Sequence, residues 1–436
     1  KFMDKMADVL GRAGAWCGQN KYLSAIKNAF QNFMPLTIAG AIGVLWCNVL
    51  VNDQTGLGLF FKPIMALDFL NPAFQAVNFC TISCITVGIT LGIAQEIGVW
   101  NMGAEKAGYI PGLVGLAAWL SVTNTSHMVE GAKEAFTGIA GNELGATGLF
   151  TGMIIGVLSV ELFCFFEKQD ALKIKMPEQV PPGGARAFEV LVPATITLII
   201  TACIGSACYN LTGLYLNDVI KNGIQGPLGA VGATIPGVMI IYLVIMLFWL
   251  VGIHGNNMLS AVKEALFTPL ALENVEKFNK GEKPTNIINM YFLQMCGEFG
   301  GSGVTIGLVI AIMIFGKRED NKAIASLSLV PGLFNINETV TFGVPMVLNP
   351  ILGIPFVVAP LITIIIGYVL TVIGFCPVAC LTVPWTTPPI VFGFLACGAN
   401  VMGAVTQAIL IVVSTVIYVP FLIAYEKYQN KQAAEA

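Results

Sequence analysis

The 436-residue chain carries little charge. Only 11% of its residues are Asp, Glu, Lys or Arg, whereas soluble globular domains contain about 25%. The formal net charge is -3, so no basic surface for nucleic acid is indicated. The low charge, together with a hydrophobic content of 56%, excludes an ordinary soluble domain and indicates a membrane protein.

Motifs for several chemistries are also missing. There is no GxxxxGK[ST] phosphate-binding loop, which argues against ATP hydrolysis, and no Ser–His–Asp arrangement. The chain has two histidines, and its eleven cysteines lie in apolar stretches without metal-ligand spacing. We therefore expect no metal and no cofactor, and we interpret the cysteines as reduced packing residues.

Long apolar stretches are abundant. A transmembrane helix needs roughly 20 mainly apolar residues, and about ten windows of the chain read as spans on that measure. A membrane barrel would instead show short alternating segments of about 10 residues. The sequence therefore predicts an all-α polytopic membrane protein with about ten transmembrane helices.

The distribution of Lys and Arg predicts the orientation of these helices. Basic loops face the cytoplasm in membrane proteins, which places Lys168–Arg186, Lys277–Lys283, Lys317–Lys322 and both termini on that side. One apolar window, Phe299–Phe315, separates the last two loops. Because one crossing cannot join two loops on the same side, a second crossing or a re-entrant hairpin is expected at residues 286–301.

A Pro- and Gly-rich stretch at Lys175–Ala185 is the best candidate for a domain boundary. We expect residues 1–186 to form a scaffold and oligomerisation domain, and residues 187–436 to form a substrate-binding domain. The hydrophobic segments after this boundary are repeatedly interrupted, and interrupted membrane segments are the best sequence indication of a transporter's binding site. The interruptions read IHGNN (253–257), GEFGGSG (297–303), NINE (335–338) and PWTTPP (384–389).

Glu338 is the most informative residue in these interruptions. An ionisable group at membrane depth is costly and suggests a functional site. Three roles are open: a structural carboxylate that ties down a hairpin at residues 335–345, a proton-coupling acid, or a general base. His254 is interpreted as a ligand-facing donor or acceptor, with a packed helix-end histidine as the alternative. His127 lies in a polar stretch and is expected to be unimportant.

Further candidates cluster around these two residues. Several Asn, Thr and Trp side chains on broken backbone suit a neutral, hydroxyl-rich ligand. The interrupted segments contain no Arg or Lys, which argues against an anionic one. The candidate substrate-binding residues are Trp249, Gly255, Asn256, Asn257, Glu298, Asn335, Asn337, Trp385 and Thr386.

At these interruptions the chain resembles the membrane component IIC of the phosphoenolpyruvate-dependent sugar phosphotransferase system, in its lactose/cellobiose/diacetylchitobiose branch. The chain departs from the family pattern at one position: Thr339 follows the glutamate, where the family usually has proline. The motifs that carry the resemblance, in the family's order, are WLVGIHGNNML (249–259), GGSGVTIGLVI (300–310), NINETVTFGVPMVLNP (335–350) and VPWTTPP (383–389).

The resemblance implies a homodimer in the bacterial cytoplasmic membrane, with ten membrane helices and two re-entrant hairpins. It implies a β-linked disaccharide as substrate, with diacetylchitobiose favoured over cellobiose or lactose. His254 would hydrogen-bond the sugar, and Glu338 would act as base on its 6-hydroxyl. The donor would be a phosphocysteine on a separate IIB protein, supplied by IIA upstream. The chain would then be the membrane subunit of a sugar phosphotransferase complex and not an independent enzyme.

Two other function classes stay open on the residues alone. An ion-coupled secondary transporter would use Glu338 as its titrating site. A passive channel is less favoured, because the polar groups cluster on interrupted segments and do not follow continuous helical stripes.

Overall fold

The structure is a computed structural model, and it describes residues 2–53, 57–127, 135–177, 179–344 and 346–435. The described residues are predominantly helical. The α-helices of the first half are α1 (Phe2–Gln19), α2 (Lys21–Leu45), α3 (Asn71–Asn78), α4 (Ile85–Met102), α5 (Ala104–Ala107), α6 (Ile110–Val122), α7 (Gly141–Leu144), α8 (Ala146–Glu167), α9 (Pro182–Thr212), α10 (Leu216–Ile220) and α11 (Gly226–Gly232).

The second half continues this pattern with shorter breaks between helices. Its α-helices are α12 (Ile235–Leu250), α13 (Gly255–Met258), α14 (Ser260–Asn279), α15 (Met290–Gly297), α16 (Ile306–Phe315), α17 (Glu319–Leu333), α18 (Glu338–Gly343), α19 (Gly353–Val372), α20 (Val391–Ala396) and α21 (Val401–Glu435).

Short elements of other kinds occur between these helices. Strands β1 (Ser126–His127) and β2 (Phe136–Thr137) pair antiparallel, with Ser126 opposite Thr137. The 3₁₀ segments are Leu57–Leu59, Lys62–Leu70, Asp170–Leu172 and Ser302–Val304, and the π-helical segments are Trp46–Leu50, Phe79–Ser83 and Lys221–Gln225.

Five continuous helices in the described chain are long and apolar enough to cross a membrane. Three bent pairs bring the number to as many as eight if each pair is one span. One of these pairs, Met290–Val304 with Ile306–Phe315, bends by 59° and overlaps the region where a second crossing or a hairpin is expected. The total of ten spans and two hairpins stays a prediction. Pro345, at the end of the expected second hairpin, lies outside the described residues.

The chain divides into two compact units. One comprises Lys1–Gly18, Ile38–Asn78 and Val231–Ala436, and the other comprises Gln19–Thr37 and Phe79–Ala230. The expected separation of roles between residues 1–186 and 187–436 is a functional prediction and stays one. Within the connector at Lys175–Ala185, residue 178 lies outside the described part of the chain.

Small residues bring helices close together in the unit that contains α4, α6 and α8. A Cβ atom on Gly152 of α8 would lie 2.2 Å from Thr90 Oγ1, and one on Gly115 of α6 would lie 2.3 Å from the Ala94 Cβ. Within lipid there is no hydrophobic driving force for the association of apolar helices. Close van der Waals packing through small residues therefore contributes much of the attraction between them.

The other unit has a large apolar core built from α12, α14, α15, α16, α19 and α21. Its largest fully buried side chains include Trp249, Tyr242 and Tyr418. Tyr418 donates a hydrogen bond to the Gly303 carbonyl at 2.7 Å, and Ser414 donates to the Val304 carbonyl at 2.8 Å. Side chains of the long helix α21 therefore supply hydrogen-bond donors to carbonyl groups of the non-helical backbone between α15 and α16. Non-helical chain at membrane depth requires such partners within the protein.

Asn274 of α14 fixes the connection that leads into α15. Its amide nitrogen donates to the carbonyls of Asn286 (2.8 Å) and Ala379 (3.0 Å). Its amide oxygen accepts from the N–H groups of Thr285 (3.2 Å) and Asn286 (3.0 Å). Asn289 also donates to Ala379, and its oxygen caps the start of α15. The pair of asparagines thus sets the position of α15.

We expect Asn274→Ala to destabilise the protein by roughly 2–4 kcal/mol, because it leaves several buried backbone groups without partners. The apparent midpoint of thermal unfolding in detergent should fall by several degrees. Asn222→Ala is the control, since Asn222 is exposed and this substitution should leave the midpoint nearly unchanged. Equal midpoints for the two variants would contradict this role of Asn274.

Candidate functional site

A cavity in the unit that contains α12–α21 brings the interrupted segments together. It holds about 860 Å³ of empty space, part of it open to solvent. Eight of the eleven sequence-predicted site residues line it: His254, Asn256, Asn257, Glu298, Asn335, Asn337, Glu338 and Trp385.

His254 and Glu338 face each other in this cavity. The Nε2 atom of His254 lies 4.0 Å from Oε1 of Glu338, and both side chains are partly exposed to the cavity, at 36% and 48%. Glu338 is the first residue of α18, and His254 is the N-cap of α13. Two breaks that are 84 residues apart in sequence therefore converge on one point.

A cap hydrogen bond fixes the proton on the His254 ring. The backbone N–H of Asn257 donates to Nδ1 at 3.2 Å, so Nδ1 must carry a lone pair. In the neutral imidazole the proton is then on Nε2, the nitrogen that faces Glu338. The site consequently presents an N–H donor and a carboxylate acceptor across a gap of 4.0 Å.

Trp249 packs beneath this histidine and does not line the cavity. Its ring centroid lies 4.4 Å from that of His254, and its side chain is buried. Gly255 also lies outside the cavity lining. A Cβ atom there would lie 2.0 Å from the Ile245 carbonyl oxygen, so the glycine allows α13 to approach α12. Thr386, beside Trp385, is half-buried and is likewise absent from the lining.

Asn335 joins three of the interrupted segments. Its Oδ1 accepts from the Gly300 N–H at 2.6 Å, and its Nδ2 donates to the carbonyls of Trp385 and Thr387, the latter at 3.1 Å. Its φ of 63° is in the left-handed region, which asparagine tolerates better than most residues. The side chain is fully occupied by backbone groups, and we call this arrangement the Asn335 clamp.

Asn337, which directly precedes the candidate base Glu338, has a similar structural role. Its Nδ2 donates to the Ser302 carbonyl at 2.7 Å. A Cβ atom on Gly301, whose φ is 89°, would lie 2.6 Å from the Asn337 side-chain carbon. Only glycine therefore fits there, and its absence of a side chain lets the 335–338 segment lie against the glycine-rich turn. Thr339 is in the first turn of α18, a position where proline would also fit.

A charged network supports another wall of the cavity. Lys263 of α14 forms a short ion pair with Glu298, and Tyr242 donates to the same carboxylate oxygen at 2.8 Å. Lys263 also donates to Oδ1 of Asn256 at 3.2 Å, and Asn256 donates to Ser302 Oγ at 2.9 Å. Glu298 and Asn256 are therefore held by protein partners.

Sequence reasoning missed Lys263 because it lies on a regular helix and not in an interruption. The sequence did contain an indication of its importance, because Lys263 is a charged residue in a largely apolar chain and lies nine residues after His254. Its charge is compensated by Glu298, so its presence does not turn the cavity into an anion site. The other lining residues not predicted are Gln294, Phe299, Gly301, Ser302, Ile336, Phe392 and Gln407.

We expect Lys263→Met to destabilise the protein by about 3–5 kcal/mol, because it leaves the mostly buried Glu298 carboxylate without its counter-charge. Adding Glu298→Gln should restore much of the loss, since no unpaired charge then remains. Unfolding in detergent measures both variants. A double variant no more stable than the single one would show that charge compensation is not what Lys263 supplies.

Comparisons with known proteins agree on one family. The family model described as "Phosphotransferase system, EIIC" matches residues 27–360. The oligo-beta-mannoside-specific EIIC component of Bacillus subtilis (strain 168) is 32% identical, with 97% of this chain and 94% of the relative aligned. The cellobiose-specific EIIC component of Lactococcus lactis subsp. lactis (strain IL1403) is 30% identical, with 98% of each aligned.

A solved structure gives the same result. The crystal structure of the transporter ChbC, the IIC component from the N,N'-diacetylchitobiose-specific phosphotransferase system, superposes with a TM-score of 0.89 at 29% identity. The alignment covers 100% of this chain and 99% of that one. These findings confirm the resemblance drawn from the four motifs: the chain belongs to the EIIC family of the phosphotransferase system and is an integral membrane sugar transporter of its cellobiose/lactose/chitobiose group.

Proposed function

We propose that the chain binds a β-linked disaccharide and presents the sugar's 6-hydroxyl to a phosphorylated IIB protein. The observation that carries this proposal is the 4.0 Å gap between His254 Nε2 and Glu338 Oε1. An oxygen about 2.8 Å from each atom bridges that gap. A hydroxyl group suits it, because it accepts from the imidazole N–H and donates to the carboxylate at the same time.

Glu338 is the general base in this proposal. A carboxylate within hydrogen-bond reach of the reacting proton meets the geometric requirement for that role. Phosphoryl transfer has a loose transition state, so its rate depends mainly on positioning and electrostatics. Glu338 and His254 therefore act chiefly by orienting the hydroxyl oxygen toward the incoming phosphorus.

The donor in this proposal is a phosphocysteine of IIB, which IIA recharges. The bond between the cysteine sulfur and phosphorus breaks as the bond between the sugar O6 and phosphorus forms. The hydroxyl proton moves to Glu338, and the IIB thiolate leaves. The products are a sugar 6-phosphate, unmodified IIB and a protonated Glu338, which returns its proton to water.

The substrate class follows from the cavity and from the names of the relatives. Trp385 is 43% exposed and lines the cavity, so its ring is available to stack on a sugar face. The relatives described above are specific for cellobiose and for oligo-β-mannosides, and the solved relative belongs to a diacetylchitobiose system. We propose diacetylchitobiose as the first candidate substrate, with cellobiose or lactose next.

We further propose a homodimer with both termini in the cytoplasm. In this proposal residues 1–186 supply the scaffold and the dimer interface, residues 187–436 bind the sugar, and the connector at Lys175–Ala185 is the hinge for alternating access. The basic loops support the orientation. An ion-coupled transporter that uses Glu338 as its titrating site is not favoured, because the EIIC family couples transport to phosphorylation.

We expect Glu338→Gln to retain disaccharide binding but to lose phosphorylation. The amide still accepts a hydrogen bond from the 6-hydroxyl, but it cannot take the proton. Isothermal titration of the purified protein with N,N'-diacetylchitobiose and cellobiose measures binding. Formation of labelled sugar 6-phosphate in the presence of phosphoenolpyruvate and the soluble phosphocarriers measures transfer.

Glu319→Gln is the matched control, because it removes a carboxylate with an exposed side chain outside the cavity. It should leave binding and transfer unchanged. Transfer by Glu338→Gln at the rate of the unaltered protein would refute the assigned role of Glu338.

A further inference from the structure

The polar groups of the cavity divide into those already bonded to protein and those that are free. Asn335 is occupied by the clamp described above. Gln407, which is 1% exposed, accepts from the N–H groups of Ile390 (2.7 Å) and Gly393 (2.8 Å) and donates to the Met295 carbonyl (3.1 Å). Such groups shape the cavity, but they have little capacity left for a ligand.

Gln294 and Asn257 are the cavity amides whose side chains no described protein group hydrogen-bonds, and of the two Asn257 is exposed, so Gln294 is the less exposed one. It lies on α15, one turn before Glu298, and its half-buried side chain lines the cavity. Among the described residues, no group bonds its carboxamide, and its Oε1 is buried without a partner. A buried amide that lacks hydrogen bonds costs free energy in the absence of ligand.

A ligand can remove that cost. The carboxamide offers two N–H donors and one acceptor, and rotation about the last side-chain bond exchanges the end that faces the cavity. A sugar ring carries hydroxyl groups, and an N-acetylated sugar also carries an acetamido group whose N–H and carbonyl complement a carboxamide. Gln294 is therefore suited to both kinds of substituent.

We infer that Gln294 is a sugar-binding and specificity-determining residue, which hydrogen-bonds a ring substituent other than the 6-hydroxyl. This inference rests on the proposed function, in which the 6-hydroxyl is held by His254 and Glu338. Gln294 lies on a different helix from His254 and Glu338, so it contacts a different part of the disaccharide. Its hydrogen bond forms on binding and does not take part in the transfer step.

The test replaces Gln294 by methionine, which has nearly the same length and shape but cannot form these hydrogen bonds. Titrations use the purified protein with cellobiose, N,N'-diacetylchitobiose and the monodeoxy derivatives of whichever disaccharide binds. Gln75→Met is the control, since Gln75 is exposed on α3. Gln294→Glu is the second variant, in case the methionine variant does not fold.

We expect Gln294→Met to weaken binding about three- to tenfold, as the loss of one neutral hydrogen bond implies, and to change the ratio of the two disaccharide affinities. One deoxy derivative, other than the 6-deoxy compound, should bind the unaltered protein and Gln294→Met with equal affinity, because it lacks the sugar substituent that Gln294 contacts. In transfer assays KM should rise with kcat nearly unchanged, as expected for a contact made equally before and during transfer.

Two failures are distinguishable. If the unaltered protein binds neither disaccharide, the proposed function fails. The second failure leaves the proposed function standing. If the unaltered protein binds a disaccharide, and Gln294→Met and Gln75→Met both bind every compound with the affinity of the unaltered protein, the inference about Gln294 is overturned. Weaker binding of every compound except the 6-deoxy derivative would also overturn it, because equal binding of that derivative alone would assign Gln294 to the reacting hydroxyl.

Discussion

The site depends on one constraint: backbone that leaves helical geometry at membrane depth must find its hydrogen bonds within the protein. The Asn335 clamp meets this constraint for three segments at once, since one side chain bonds the backbone of the glycine-rich turn and of the Trp385 segment. Gln407 and Tyr418 do the same for neighbouring breaks. Because these partners are protein groups, the hydrogen bonds of the broken segments do not require a ligand.

These hydrogen bonds have a chemical consequence. Once Asn335, Gln407 and the Lys263–Glu298 pair are occupied, few polar groups of the cavity remain free for a ligand. In the proposed function His254 and Glu338 hold the reacting hydroxyl, and the neutral tautomer of His254 follows from its own helix cap. The structure thus separates the polar groups that are bonded to protein from those that are free for a ligand.

Much of this could be predicted from the sequence, and the reason is physical. Breaks in apolar segments are visible as Gly, Pro and Asn in otherwise hydrophobic windows, so His254 and Glu338 could be identified without a structure. The sequence does not show which asparagine faces the ligand and which bonds backbone, and Asn335 belongs to the second kind. Lys263 and Gln294 lie on regular helices, where no local pattern distinguishes a cavity residue from a packed one.

The central claim is that transport ends in phosphorylation of the sugar at a hydroxyl held by Glu338. The direct measurement is uptake of a labelled β-disaccharide into vesicles that contain this protein, with and without phosphorylated IIB on the cytoplasmic side. The account predicts that the label accumulates as sugar 6-phosphate only when phosphorylated IIB is present. Accumulation of unmodified sugar, driven by a proton or sodium gradient without IIB, would contradict it.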